Sequence, residues 1–174
     1  ASIDINLEQI PANHLSVSFR EQEGAFLTGY IAAKSSKTGM IGFLGGKQVP
    51  LISKFLTGFS AGALYADPNI QLNIKYANSF VSYLRGQTIG EELYNEGCDV
   101  VFHAAGAVGK GLIRKASEMN KLAIGVDIDQ HFLAPDHVIT SMLKKVKDAI
   151  YQTTKSFTDG VFQGGQNVEY GLAE

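Results

Sequence analysis

The chain has 174 residues, of which 45% are hydrophobic and 18% are charged, and its formal net charge is −2. A chain of this length amounts to about one domain, and this composition is typical of globular proteins. Lysine and arginine form no cluster larger than a pair, so the chain has no electrostatic basis for binding a nucleic-acid backbone.

Cysteine content and hydropathy exclude further classes. The single cysteine, Cys98, cannot form an intrachain disulfide or, by itself, a zinc site, and the apolar run after it predicts a buried, inert thiol. No apolar run approaches the roughly 20 residues of a membrane span. The first residues lack the basic and apolar regions of a signal peptide, so we expect any export signal to lie outside this chain.

The first third of the chain predicts one strand and one helix. Residues 1–12 are mixed and polar, which predicts a loosely held start. Residues 14–19 alternate apolar and polar side chains, as a half-buried strand does. Residues 21–35 place apolar side chains at helical spacing behind an acidic first turn. We expect the exposed lobe boundary, including the apolar face of this helix, to lack its usual partner helices, and therefore expect self-association or a missing chain.

The middle of the chain alternates strands with helices. Strands are predicted at 40–44 and 70–77, and in the two apolar runs that end near Gly106 and Asp127. Helices are predicted from Pro50, after Phe80 and after Gly106, and Gly97 is a predicted helix C′ residue. A strand at 137–142, a helix at 144–157 and a short strand near 168–170 follow. This order is typical of a doubly wound α/β sheet.

The stretch 98–130 has the pattern of a β-α-β unit. In parallel sheets, ligands bind outside the carboxyl ends of the strands, where Gly106 and Asp127 are predicted to lie. Residues 106–111 suggest a phosphate loop, but Ala104 and Gly111 stand where that motif needs a glycine and a hydroxyl. The alternative is a tight strand-to-helix turn, whose exposed amides still suit an oxygen-bearing ligand.

Four positions near strand ends have both a binding and a structural interpretation. Asp127 and Asp129 suit the paired hydroxyls of a sugar, or else cap a helix or lie in a solvated loop. Phe80 suits stacking on a base or sugar, or else covers the core. Lys144 brings a cation towards the site, or else belongs to a solvated helix face.

The sequence offers little for catalysis. The four histidines have no metal-ligand spacing, no nucleophile elbow occurs, and His103 on its buried strand is predicted to be a satisfied core histidine. We therefore expect a protein that is not an enzyme and that needs no cofactor.

Six motifs in fixed order resemble the basic membrane lipoprotein family, the substrate-binding lipoproteins of ABC importers, and are similar to its purine nucleoside receptors. They are 19–29 (FREQEGAFLTG), 41–46 (IGFLGG), 55–59 (FLTGF), 104–111 (AAGAVGKG), 124–130 (IGVDIDQ) and 140–144 (TSMLK). The resemblance implies a type I periplasmic-binding fold, with two α/β lobes around a ligand cleft. It implies that Phe80 stacks on the base, Gly106 supplies a backbone contact, Asp127 binds ribose hydroxyls and Lys144 completes this side.

The resemblance also implies partners and a location. These are a nucleoside-like ligand, an ABC importer permease and an extracytoplasmic, lipid-anchored precursor whose signal and lipobox we expect outside this chain. Family members are about twice this length, so we predict that residues 37–136 form the second lobe. Residues 1–36 and 137–174 would be a remnant of the first lobe and the crossover back to it. The rival interpretation is a ligand-sensing regulatory domain, because repressor ligand domains share this architecture.

Overall fold

The computed structural model describes residues 1–5 and 7–172. The chain divides into a larger unit, Glu21–Leu143, and a smaller unit, Ala1–Arg20 with Lys144–Glu174. The division predicted above, at 36/37 and 136/137, refers to the lobes expected in longer relatives. The two units described here are instead defined by contacts within this chain, so the predicted lobe boundaries stay a prediction.

Strands and helices alternate along most of the chain. The strands are β1 (Ser2–Ile3), β2 (Leu15–Phe19), β3 (Met40–Gly45), β4 (Gln71–Tyr76), β5 (Val100–Ala104), β6 (Leu122–Asp127), β7 (Val138–Leu143) and β8 (Gln166–Tyr170). The helices are α1 (Glu21–Ser35), α2 (Pro50–Ala66), α3 (Tyr83–Asn95), α4 (Ala107–Glu118) and α5 (Val146–Thr158), and a 3-10 turn spans His131–Leu133. None of the helices in the described part of the chain is long and apolar enough to cross a membrane.

The larger unit is built on a five-stranded parallel sheet in the order β4-β3-β5-β6-β7. Most of its strands are buried on both faces, as in other all-parallel sheets, and the sequences of these strands are therefore largely apolar. Each predicted strand and helix from 21 to 127 is present. The doubly wound α/β fold expected from the sequence is therefore confirmed.

Two apolar cores cover the two faces of this sheet. On one face, α1 and α2 pack around a cluster of phenyl rings in which Phe59 lies 6.0 Å from Phe43 and 5.3 Å from Phe102 between ring centroids. On the other, α3 and α4 bury Leu93, Leu112 and their neighbours against the sheet. Cys98 lies in this second core, fully buried, where desolvation raises the pKa of its thiol to about 12, so the predicted burial of this thiol is confirmed.

Helices α1 and α2 contact each other backbone to backbone. A Cβ on Gly62 would overlap the carbonyl of Phe26, and one on Gly29 would overlap the carbonyl of Phe59. Only glycine permits this approach. Helix α2 therefore covers the buried face of α1, whereas Leu27 and Tyr30 of α1 stay exposed, and the expected self-association or missing chain stays a prediction.

The smaller unit has a three-stranded parallel sheet in the order β1-β2-β8, and Ala149 of α5 packs into its core. Two expectations for this region are wrong. The start of the chain is held in place, since β1 pairs with β2. Strand β2 is buried on both faces. Its serine hydroxyls are hydrogen-bonded there, since that of Ser16 donates to the carbonyl of Ile5 at 2.7 Å and that of Ser18 accepts from Asn167 at 3.0 Å.

Candidate ligand-binding site

The loops of the larger unit that leave the carboxyl ends of its parallel strands meet at one edge of the sheet. The register pairs Gly45 at the end of β3 with Tyr76 of β4 and with Ala104 of β5. Strand β6 ends at Asp127, opposite Leu143 of β7. This is the edge at which open α/β sheets bind ligands.

Phe80 lies on this edge rather than in the core. The loop before it is fastened to β3, because Ala77 N–H donates to the carbonyl of Gly45 at 2.9 Å and Ser79 N–H donates to that of Gly46 at 3.1 Å. The phenyl ring covers Gly46, where a Cβ would collide with the ring, and the residue remains 36% exposed. The aromatic ring of Phe80 is therefore held at the strand ends with part of its surface exposed, and its role in ligand binding stays a prediction.

Gly106 lies directly against the Phe80 loop. The carbonyl of Phe80 accepts a hydrogen bond from Ala107 N–H at 2.8 Å, which fastens the loop to the first turn of α4. Gly106 itself has φ 59° and ψ −131°, and a Cβ there would lie 2.9 Å from the Phe80 oxygen. Side chains are strained in this conformation, so glycine is required at the start of α4.

Asp127 is an exposed carboxylate in an unusual backbone conformation. Its φ is 67°, and Ile128 N–H donates to the carbonyl of Val126 at 2.8 Å, two residues back. These features describe a γ-turn with positive φ, which is rare and strained for a residue other than glycine. Strained residues are concentrated at functional sites. Asp129 is different, since its carboxylate accepts from His131 N–H at 2.9 Å and caps the 3-10 turn.

A buried polar network lies beside this turn, and sequence reasoning missed it. Gln130 Oε1 lies 2.8 Å from His103 Nε2 and accepts from Val126 N–H at 2.9 Å, while Gln130 N–H donates to Ser141 Oγ at 3.0 Å. His103 is fully buried and its Nδ1 has no hydrogen-bond partner among the described residues, so the prediction of a satisfied histidine is half right. Desolvation lowers the pKa of its imidazole from 6.5 to about 4.

Lys144 belongs to the smaller unit. Its side chain is only 5% exposed, its ammonium lies 2.5 Å from Asp4 Oδ2, and it lies 4.9 Å above the centroid of the Phe19 ring. The helix begins at Val146, so the interpretation of Lys144 as part of a solvated helix face is wrong. Asp4 also has a positive φ, 58°. Lys144 is therefore a buried cation held by a carboxylate and an aromatic ring.

The structure thus brings Phe80 and Gly106 into contact and places Asp127 at the same edge of the larger unit's sheet. Within residues 1–5 and 7–172, no group of three or more histidine, cysteine, aspartate or glutamate residues is arranged to hold a metal ion. An exposed aromatic ring and an exposed carboxylate suit a ligand with a flat ring and hydroxyl groups.

Known proteins with similar sequences and structures share this arrangement of elements. The family described as ABC transporter substrate-binding protein PnrA-like matches residues 2–174. Basic membrane protein A1 of Borrelia garinii subsp. bavariensis is 45% identical over 170 residues, which cover 96% of this chain and 50% of that protein. Basic membrane protein D of Borreliella burgdorferi is 44% identical over 169 residues, covering 95% and 50%. The chain spans about half the length of these curated relatives.

Solved structures of known proteins are also similar to this chain. A solute-binding protein of an ABC transporter system from Aeropyrum pernix superposes with a TM-score of 0.93 and 29% identity, covering 99% of this chain and 51% of that one. A transcriptional activator of the comK gene from Bacillus halodurans superposes with a TM-score of 0.84 and 23% identity, covering 92% and 55%, which shows a shared fold. This chain therefore belongs to the PnrA-like family of ABC transporter substrate-binding proteins, a family of binding proteins rather than of enzymes.

Proposed function

We propose that this chain contributes one side of a receptor that captures a purine nucleoside or a similar solute for an ABC importer. The observation that carries the proposal is the placement of Phe80, Gly106 and Asp127 on one edge of one sheet. The aromatic ring provides a stacking face for a base. The carboxylate accepts two hydroxyl hydrogen bonds, which the neighbouring hydroxyls of a ribose supply.

The support differs among the four proposed contacts. Phe80 and Gly106 rest on their mutual contact and on the exposure of the ring. Asp127 rests on its exposed position at a strand end and on its strained backbone. Lys144 rests on the family resemblance, and its burial beside Asp4 shows how this chain holds a cation in the smaller unit.

The family supports the proposed partners and cellular location. The names of the relatives, as basic membrane proteins and ABC transporter substrate-binding proteins, support an extracytoplasmic receptor that is lipid-anchored in its full-length form and delivers its ligand to a permease. The aligned region covers only 50% of the relative's length. We therefore propose that the complete ligand site also needs a first lobe, from a longer form of this protein or from self-association.

Calorimetric titration with inosine, guanosine, adenosine and cytidine tests the proposal, since the chain has no tryptophan to report binding. Phe80→Ala and Asp127→Ala should each weaken purine nucleoside binding by about 1 to 3 kcal/mol if the group makes a buried contact. Asp136→Ala is the matched control, because Asp136 is an exposed carboxylate in the same loop region. Nucleoside affinity that Asp127→Ala leaves unchanged would refute the assignment.

The second candidate is a ligand-sensing regulatory domain. The observation that favours it is the superposition on the Bacillus halodurans transcriptional activator over 92% of this chain. The coding sequence upstream of this chain distinguishes the two functions, because a receptor precursor carries a lipobox cysteine and a regulator carries a DNA-binding domain.

A further inference from the structure

The side chain of Gln130 folds back beneath the turn that carries Asp127. Its Oε1 accepts from Val126 N–H, the residue before Asp127, at 2.9 Å. Its own N–H donates to Ser141 Oγ on the neighbouring strand at 3.0 Å. Both ends of the five-residue segment from Val126 to Gln130 are thus tied through one glutamine, which is itself only 5% exposed.

His103 on β5 also contacts the side-chain oxygen of Gln130. Of the two polar atoms in the glutamine amide only the oxygen accepts a hydrogen bond, so the bond from Val126 N–H identifies the Gln130 atom as its carbonyl oxygen. His103 Nε2, 2.8 Å from that oxygen, must then carry the proton and donate. Burial keeps the imidazole neutral, because it lowers the pKa of His103. One oxygen of Gln130 therefore links β5 to the end of β6.

Two glycines make room for this network. A Cβ on Gly125, inside β6, would lie 2.5 Å from Ser141 Oγ and 2.9 Å from Gln130 Oε1. A Cβ on Gly109 would collide with the imidazole of His103. Glycine inside a strand weakens it, so its presence usually marks a place where another group must approach closely. Here the group that approaches is the Gln130 side chain.

A strained backbone persists only when its surroundings hold it in place. We propose that Gln130, supported by His103 and Ser141, is a positioning residue that keeps the Asp127 turn in its positive-φ conformation and so presents the carboxylate to the ligand. The role of that carboxylate rests on the proposed function above. The conformational part stands on the hydrogen bonds of the described residues alone.

Gln130→Met tests the proposal, because methionine keeps the length and volume but removes the oxygen. NMR of the unliganded chain reports the φ of Asp127 through its intraresidue amide-to-Hα coupling and nuclear Overhauser effect, and calorimetry with inosine reports affinity. We expect Gln130→Met to average φ towards negative values and to weaken inosine binding roughly 10-fold, the loss expected for one buried hydrogen bond. Gln130→Glu keeps an oxygen acceptor and should restore most of both properties.

Tyr94→Phe is the matched control. Tyr94 Oη donates to the carbonyl of Leu122 at 3.0 Å, so this variant removes a partly buried hydrogen bond from the opposite end of β6. It should lower stability while keeping both the φ of Asp127 and the inosine affinity. A positive φ retained in Gln130→Met, or inosine affinity equal to that of the parent, would overturn the proposal. If neither the parent chain nor a longer form that includes the first lobe binds a nucleoside, the proposed ligand class fails, and the φ measurement alone decides whether Gln130 positions the turn.

Discussion

Acidification should destabilise the larger unit through His103. Burial lowers the pKa of this imidazole from 6.5 in the unfolded chain to about 4 in the folded one. Because the unfolded chain takes up the proton first as the pH falls, the folded state is penalised in acid. The stability that comes from a neutral His103 is fully present above about pH 6.5 and is lost progressively as the pH falls towards 4.

The size of the effect follows from this difference in pKa. A shift of one pKa unit corresponds to about 1.4 kcal/mol, so the full loss is about 3 kcal/mol. Between about pH 7 and about pH 5 the same linkage predicts a loss of about 2 kcal/mol in the free energy of unfolding. That is a large share of the about 5 to 15 kcal/mol that stabilise a typical domain.

Urea unfolding at the two pH values measures the loss, and His103→Gln isolates it. Glutamine cannot titrate, yet it places an N–H donor near the position of Nε2, within reach of Gln130. Other groups also respond to acid; hydrogen bonding to Arg114, for example, lowers the pKa of Glu118. The comparison is therefore between parent and variant, and the variant should lose about 2 kcal/mol less than the parent over this interval. Equal losses in the two proteins would refute the reasoning.

Three substitutions test the backbone and packing arguments. The free energy of unfolding of Asp127→Gly should exceed that of Asp127→Ala by about 1 kcal/mol, because only glycine adopts φ 67° without strain. Equal free energies of unfolding would contradict the strained turn. Gly62→Ala should destabilise the protein by about 1 to 3 kcal/mol in urea unfolding despite alanine's better helix propensity, because its Cβ overlaps the Phe26 carbonyl. Phe59→Ala should cost about 3 to 5 kcal/mol, since its ring is fully buried between two other rings; thermal denaturation showing a loss no larger than that of a surface variant would exclude this core.

The fold could be predicted from the sequence because it depends on local patterns. Apolar runs of four to six residues that alternate with helical segments predict a parallel sheet. Gly97 shows how local such signals are, since its φ of 110° at the end of α3 was expected from its position alone. Strand β1 escaped prediction because two residues carry no periodicity, and the pairing with β2 defines it.

The candidate site was predictable in its location but not in its geometry. Strand ends and small residues indicated Gly106 and Asp127. The turn at Asp127, however, depends on Gln130, His103 and Ser141, which lie on three different elements. No short-range pattern reports such a contact. Gly125, inside an otherwise apolar strand, is a sequence signal that could have indicated it.

The positive φ of Asp127 also has an evolutionary consequence. Glycine would occupy this position at lower conformational cost than aspartate. A lineage that no longer needs the carboxylate is therefore free to drift to glycine, and selection for stability favours the change. Position 127 thus records whether a descendant of this protein still depends on the negative charge at the end of β6.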